Sequence, residues 1–591
     1  MKHNEKKEQH LSLFLEVCSQ NEELRLPLHT SIVMFLLSYC ECKSFKVFMV
    51  YTSSCSDAFR SQLPVPVGVS WVQLEDLPQL VRSCRLPAAV DESGRLCRAG
   101  LAVVLRHIII KTTEEDPSRK DVLELLGFKK TCLKACAEVS KWTRLCEIGI
   151  PSAVEEHLLN PTNQVNRLPP SILTLEQRLA EPVKVHNDDK IRRQKLQEQR
   201  LRENEEKQIC EASLGPSSQT SDGLELRAAL AKLSVDSAPA AATRGSSEIR
   251  KVKTTALPPL EHVFAEGLYF TLTDVVLLPC IHQYLCSLQS HAARTLHQLP
   301  RLLRWYSRVR EVPGVLKAAK DCGMILTVPQ VPTSSLQETS GPDSPVSLLQ
   351  QEEDEETTPQ LAFVGGPRPT MTKLKENGIE AIFTLHPCPS WTLPWDSLPK
   401  AINPTEGKMS NIRSTRKMQQ LNNLVAMVSK LASPGCTVVD FCSGTGHVGI
   451  VLAHTLPDCQ IILIENKEES LVRAQRRSTE LGLKNISFFQ ANLDYFTGLF
   501  HIGQKVPGDS YTQGKHCMGL VDLDRSWAAE AHGYTVQVMT MEPESCSTKN
   551  NMLVGRPPQG IAQEIGSSQL ETLVHNRSCE CPAERLQDNQ S

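Results

Sequence analysis

The chain has 591 residues, with 64 Lys plus Arg against 67 Asp plus Glu, a net charge of −3. That balance excludes whole-chain attraction to nucleic acid or an anionic membrane and leaves only local basic patches to weigh. A hydrophobic share of 40% supports folded cores, and the length calls for several domains.

The opening MKHNEKKEQH is too polar to begin a signal peptide. No stretch approaches the ~20 apolar residues of a membrane span. The expectation is a cytoplasmic protein that makes no membrane contact. In that compartment the 21 cysteines are thiols, and none are spaced as CxxC, so no metal site is expected.

In chain order, residues 25–115 alternate helical and strand signals. Apolar spacing predicts a helix over His29–Glu41 and a strand over Phe45–Tyr51. LPAAVDESGRLCRAGLAVVLRHII then parses as a strand, a turn at Glu92–Gly94, a second strand, and a helix from Arg98. Residues 116–182 read as helical. Residues 183–256 are polar and are expected to form a disordered insertion. Within it, opposite charges at helical spacing predict a solvated helix.

Residues 257–327 return to helical patterning. Thr271 and Asp274 mark a helix start: the Thr271 side chain is expected to cap a free N–H, with Asp274 beside the positive end of the dipole. A second helix stops before Pro313 and Gly314. Residues 328–360 form an acidic linker. Residues 361–433 are a connecting segment, and residues 556–591 a disordered tail. Arg413, Arg416 and Lys417 in the connecting segment are candidate phosphate contacts, which makes RNA a candidate partner. A solvated helix face is the plainer reading of the same residues.

The strongest chemical signal lies between Pro434 and Asn492. Val438–Phe441 reads as a buried-type strand, followed by a tight turn through Cys442, Gly444 and Gly446. A helix, a strand ending at Glu465, an amphipathic helix and a third strand at Ile486–Gln490 complete a βαβαβ pattern. Glycines without a Cβ let a ligand approach the backbone. A carboxylate at the end of the second strand can accept both ribose hydroxyls. GTGHVG also fits GxGxxG, a dinucleotide motif that is weak alone. Against it, the strand ends in an acid, and Asp440 to Cys442 separate its apolar run from the first Gly.

Gly267–Asp274, then Trp305, Tyr306 and Val312–Val315, resemble the C-terminal helical domain of glutathione transferases. Residues 84–110 are similar to the end of that family's thioredoxin-like half, with Pro87 at its cis-proline position. The resemblance implies a mainly helical module with a degenerate thioredoxin-like N-terminal part. Where the family binds the glutamyl end of glutathione with an acid and a Ser, this chain has Cys97, Arg98 and Ala99. No thiol-activating residue can be assigned. The module is therefore expected to be a non-catalytic scaffold that docks protein partners, and it is a candidate homodimer. Glutathione conjugation is the least favoured activity.

The pattern around Asp440 and Gly444 resembles class I S-adenosylmethionine-dependent methyltransferases. There Asp440 would order the loop or meet the amino acid end of the cofactor, Glu465 would hold the ribose, and Asn492 would meet the adenine. Cys442 stands where that family usually has its first Gly. The cofactor residues implied are Asp440, Cys442, Gly444, Gly446, Glu465 and Asn492, with S-adenosylmethionine as cofactor. No catalytic residue is assigned, and the acceptor is unknown.

After the third strand the expected fourth and fifth are missing. A helix at Asp522–Ala531, a strand at Tyr534–Met541 and a return at Asn551–Gly555 look like that family's last helix and terminal pair. The expectation is a shortened form lacking the segment between Gly503 and Lys515. Together, HVFAEGLYFT, FVGGPRPTM, DFCSGTGHVGIVLAH and MEPESC resemble the family of glutathione S-transferase C-terminal domain-containing proteins. The fold class is thus multidomain: a mainly helical glutathione-transferase-like module plus an incomplete α/β Rossmann-like methyltransferase domain at 434–555. The alternative function is an interaction scaffold in which both modules have lost catalysis.

Overall fold

The computed structural model describes residues 11–20, 23–51, 69–133, 140–159, 168–183, 189–210, 252–291, 293–329, 376–378, 383–404, 410–492, 511–543, 546–547 and 550–556. Residues 330–360 of the expected linker, 557–591 of the expected tail, 211–251 of the insertion, and 503–510 lie outside them. Two compact units divide the chain. The first holds residues 1–337, 462–472 and 487–500, and the second holds the rest.

The N-terminal strands are β1 (Leu11–Glu16), β2 (Cys18–Gln20), β3 (Glu23–Arg25), β4 (Phe45–Tyr51), β5 (Ser70–Gln73), β6 (Ala88–Val90) and β7 (Leu96–Ala99). Later come β8 (Thr437–Phe441), β9 (Gln460–Glu465) and β10 (Ile486–Gln490). The division between units passes through β9 and β10.

In the first unit, β1 pairs parallel with β4 and antiparallel with β6, and β6 pairs antiparallel with β7. β5 extends the sheet beyond β4, while β2 and β3 form a separate small hairpin. Helix α1 (Leu28–Cys40) connects β1 to β4, and α2 (Leu101–Glu115) follows β7. This is the expected thioredoxin-like arrangement, and the Leu86–Pro87 bond is cis. It begins at Leu11 rather than at residue 25. LSLFLE is masked in the sequence because it directly follows a charged decapeptide, yet Leu13 and Leu15 are fully buried.

The sheet does not stop at β7. Strand β10 pairs parallel with it, aligning Phe488 with Leu96, Phe489 with Cys97 and Gln490 with Arg98. Ile464, Phe489 and Ala491 share one apolar cluster with Phe14, Cys97 and Ala99. Part of the methyltransferase-like sequence thus packs in the core of the first unit.

The helical part of this unit contains α3 (Ile150–Leu159), α4 (Pro170–Ala180), α5 (Asp189–Cys210), α6 (Leu272–His291), α7 (Pro300–Arg310) and α8 (Val315–Asp321). Residues on both sides of the insertion, among them Ile172, Leu175, Val275 and Trp305, pack in one core. Every residue of α6 from Leu272 to Ile281 is buried, which is why its sequence is apolar all round rather than on one stripe. Helix α5 is the charged run itself. Arg192 donates to the carbonyls of Leu257 and Pro258, which ties this part of the expected disordered insertion to the following segment.

Carboxylates satisfy the open N–H groups at several helix starts. Leu28 N donates to Glu155 Oε1 (2.8 Å), Ala102 N to Glu147 Oε1 (2.9 Å) and Leu302 N to Glu176 Oε2 (2.8 Å). At α6 the roles differ from expectation. Asp274, not Thr271, does the capping: it accepts from Thr271 N (2.9 Å), Ala265 N (2.8 Å) and Trp305 Nε1 (2.7 Å). A carboxylate has enough lone pairs to serve all these donors, and a hydroxyl does not.

The second unit contains α9 (Asn411–Leu431), α10 (His447–Thr455), most of α11 (Glu468–Glu480) and α12 (Tyr511–Glu530). It ends in an antiparallel pair, β11 (Thr535–Thr540) and β12 (Asn551–Arg556). Met427, Met539, Met541, Cys546 and Met552 form its small satellite core. Helix α12 starts at Tyr511, ahead of the expected start at Asp522.

The starts of β8, β9 and β10 adjoin: Gln460 N donates to Cys436 O (2.9 Å) and Ile461 N to Asn485 O (2.8 Å). Among the described residues β8 is the last strand of this sheet. It is not buried as its composition led us to expect. Val439 is 38% exposed and Phe441 40%. With no strand on its outer side among the described residues, these side chains have no described cross-strand neighbours to cover them.

Candidate functional site

Asp440, Cys442, Gly444 and Gly446 lie at or just beyond the C-terminal end of β8 in the second unit, and Glu465 and Asn492 at the C-terminal ends of β9 and β10 in the first; such strand ends are where open α/β sheets bind ligands. Asp440 is the penultimate residue of β8. Its Oδ2 accepts from Gly449 N (3.0 Å), in the first turn of α10. This contact ties the end of β8 to the start of α10. The carboxylate also complements the positive end of that helix.

The turn after β8 is left-handed at Cys442 (φ 56°), Gly444 (φ 57°) and Gly446 (φ 73°). Glycine adopts such angles freely, whereas a side-chain-bearing residue is strained by ~1–2 kcal/mol. That explains why Gly is usual at the Cys442 position. A Cβ built on Gly444 would meet nothing within 4 Å, so open space lies beside the turn. Ser443 Oγ is buried and has no hydrogen-bond partner among the described residues.

The sequence gives no sign of what holds this turn from behind. Arg477, buried on α11, donates to Thr445 O (3.0 Å) and to Ala401 O (2.8 Å). It also lies 3.4 Å from His447 Nδ1. Burial pushes the His447 imidazole down to about 4, with Arg477 and Lys417 adding to the effect, so it is neutral at pH 7. Burial likewise lowers Lys417, while Asp440 pulls it back up. Lys417 is half-buried, whereas Arg413 and Arg416 are exposed. Nothing in an amphipathic run such as that of α11 marks which Arg turns inward.

Glu465 closes β9. Its Oε1 accepts from Lys467 N (2.9 Å) as the chain enters α11. Asn492 is half-buried, just past β10. The structure therefore ties Asp440 to the first turn of α10, across the glycine turn, and sets Glu465 and Asn492 at the ends of their own strands. Among the described residues no His, Cys, Asp or Glu cluster could hold a metal ion, and no helix is long and apolar enough to cross a membrane.

The family described as "Methyltransferase domain" matches residues 432–499, the stretch carrying all six candidates. Release factor glutamine methyltransferase of Escherichia coli (strain K12) is 33% identical over 72 residues, 12% of this chain and 25% of that protein. The similarity to two vertebrate proteins is far longer. The glutathione S-transferase C-terminal domain-containing protein of Xenopus laevis is 51% identical, over 90% of this chain and 98% of its own length. The protein of that description in Homo sapiens is 48% identical, over 92% and 98%. The Xenopus alignment runs over 611 positions, more than the 591 residues here, so that relative has positions with no counterpart in this chain. With a methyltransferase-type glycine turn behind a thioredoxin-like and helical first unit, the chain belongs to the family of glutathione S-transferase C-terminal domain-containing proteins.

Proposed function

We propose that this chain binds S-adenosylmethionine and that its full-length relatives transfer the methyl group, while the glutathione-transferase-like module is a non-catalytic, cytoplasmic protein-docking scaffold. The observation that carries the reading is the left-handed turn Cys442–Gly446, held by Asp440 and Arg477 ahead of a helix N-terminus. The residues fit the cofactor. Space lies open beside Gly444, and the buried Ser443 hydroxyl has a hydrogen bond to give. Gly444 and Gly446 would let the cofactor lie against the backbone, Glu465 would accept its ribose hydroxyls, and Asn492 would meet the adenine. The cofactor supplies a sulfonium-activated methyl group, and the protein's task is alignment. No described residue is assigned as a catalytic base.

The scaffold role is supported at the start of α1, where a thiol-activating group would be needed. Leu28 N is taken by Glu155, Thr30 Oγ1 donates to Glu16 O, and Ser31 Oγ donates to Pro27 O. Cys40 lies at the far end of the helix, and burial pushes its thiol well above the usual range, so it stays protonated and inert. That β8 has no outer neighbour among the described residues favours a second reading, an interaction protein that binds no cofactor.

Calorimetric titration with S-adenosylhomocysteine separates the two. The methyltransferase reading expects saturable binding, weakened about tenfold or more by Glu465→Ala, since each ~1.4 kcal/mol is a factor of ten. No heat of binding from a chain with a normal cooperative unfolding transition would leave the scaffold reading.

A further inference from the structure

Arg98 sits on β7, in the thioredoxin-like half, and is 8% exposed. A buried guanidinium needs a counter-charge. It finds one in the methyltransferase-like sequence, where Arg98 Nη2 donates to Glu468 Oε1 at 2.9 Å. Glu468 is the first residue of α11 and lies three positions beyond Glu465. The turn between them is held at two more points. Gln490, the register partner of Arg98, donates from Nε2 to Asn466 O (3.4 Å), and Lys467 N donates to Glu465 Oε1 (2.9 Å). The Glu465 carboxylate therefore stands on a four-residue turn whose far end is anchored by Arg98. All these residues lie within the first unit.

We propose that Arg98 is a positioning residue for Glu465, so that cofactor affinity depends on a side chain of the thioredoxin-like half. The inference rests on the cofactor reading of Glu465. It also gives Arg98 a use other than binding glutathione, because its guanidinium is engaged by an internal carboxylate. The Arg98 Nε remains buried without a partner among the described residues, which leaves Glu468 as the contact that fixes the side chain.

The test is a double-mutant cycle on S-adenosylhomocysteine affinity in the full chain, using Arg98→Gln and Glu465→Gln. If Arg98 acts through Glu465, Arg98→Gln weakens binding about tenfold. The double variant is then no weaker than the worse single one, because coupled sites are non-additive. Glu468→Ala should match Arg98→Gln, and Glu468→Gln, which keeps the acceptor oxygen, should recover most of the affinity. A merely structural role would give additive losses and no recovery. Binding within twofold of wild type in Arg98→Gln, or additive losses, overturns the proposal. Should Arg98→Gln fail to fold, Arg98→Lys keeps the charge and shortens the reach, and the same criteria apply. If the wild-type chain does not bind the probe, the cofactor reading has failed, and amide exchange at 465–468 then decides the Arg98 claim. Faster exchange in Arg98→Gln upholds the anchoring, and unchanged exchange ends it.

Discussion

Helix α6 and strand β8 start from similar material and end differently. DVVLLPCI in α6 is wholly buried, with a carboxylate that meets three N–H donors. TVVDF in β8 is also mostly apolar, yet it leaves Val439 and Phe441 two-fifths exposed at the outer end of its sheet among the described residues. Apolar composition says what a segment is able to bury. Whether it does so depends on a neighbour being present. For α6 the neighbours α1, α3 and α7 all lie within the same unit. For β8, the strands that would flank it in a complete doubly wound sheet are absent among the described residues.

The largest expected effect is at Asp274. Asp274→Ala leaves three buried N–H donors unmet and should remove ~3–5 kcal/mol of stability by urea unfolding. The same residue gives a pH signature. Burial pushes its carboxyl up from 3.8 to about 7, against the pull of the donors. Between those values the folded state holds a proton that the unfolded chain has released. This group's contribution is therefore full below about pH 4 and is lost as pH rises through about 7. Asp274→Asn should flatten that slope. A loss below ~1 kcal/mol in Asp274→Ala would mean that α6 is not anchored as described.

Next comes Leu463, fully buried on β9, where Leu463→Ala should cost ~2–5 kcal/mol. Cys442→Gly should raise stability by about 1 kcal/mol, because it relieves a left-handed residue that carries a Cβ. The smallest effect belongs to β8: Val439→Ser should stay within ~0.5 kcal/mol, as exposed sites do. A cost at Val439 close to that at Leu463 would show that something covers β8 in solution. Thermal and urea unfolding of the three variants, run together, measures the whole series.

Elements set by local pattern were legible in the sequence: the βαβαβ run, the glycine turn, the helix start at Thr271, and the short return pair β11 and β12. Pro87 was legible too, through resemblance. Other features depended on distant partners. β1 was hidden because its apolar alternation abuts a charged segment, and only pairing with Phe45–Tyr51 reveals it. The pairing of Gln490 with Arg98 has no local signature, since the two residues are far apart in the chain. Arg477 could not be told from Arg473 and Arg476 beside it, because inward orientation is set by helix packing. Cys442 was the reverse case: an unusual residue was seen, and its left-handed backbone supplied the reason.

The central proposal is that residues 442–449 and 465–468 each contact a nucleoside cofactor, although β8 is the last strand of its sheet among the described residues. Amide hydrogen exchange across 442–449 and 465–468, with and without saturating S-adenosylhomocysteine, tests it most directly. The account predicts slower exchange in both segments on addition of the ligand. Unchanged exchange in both would contradict it.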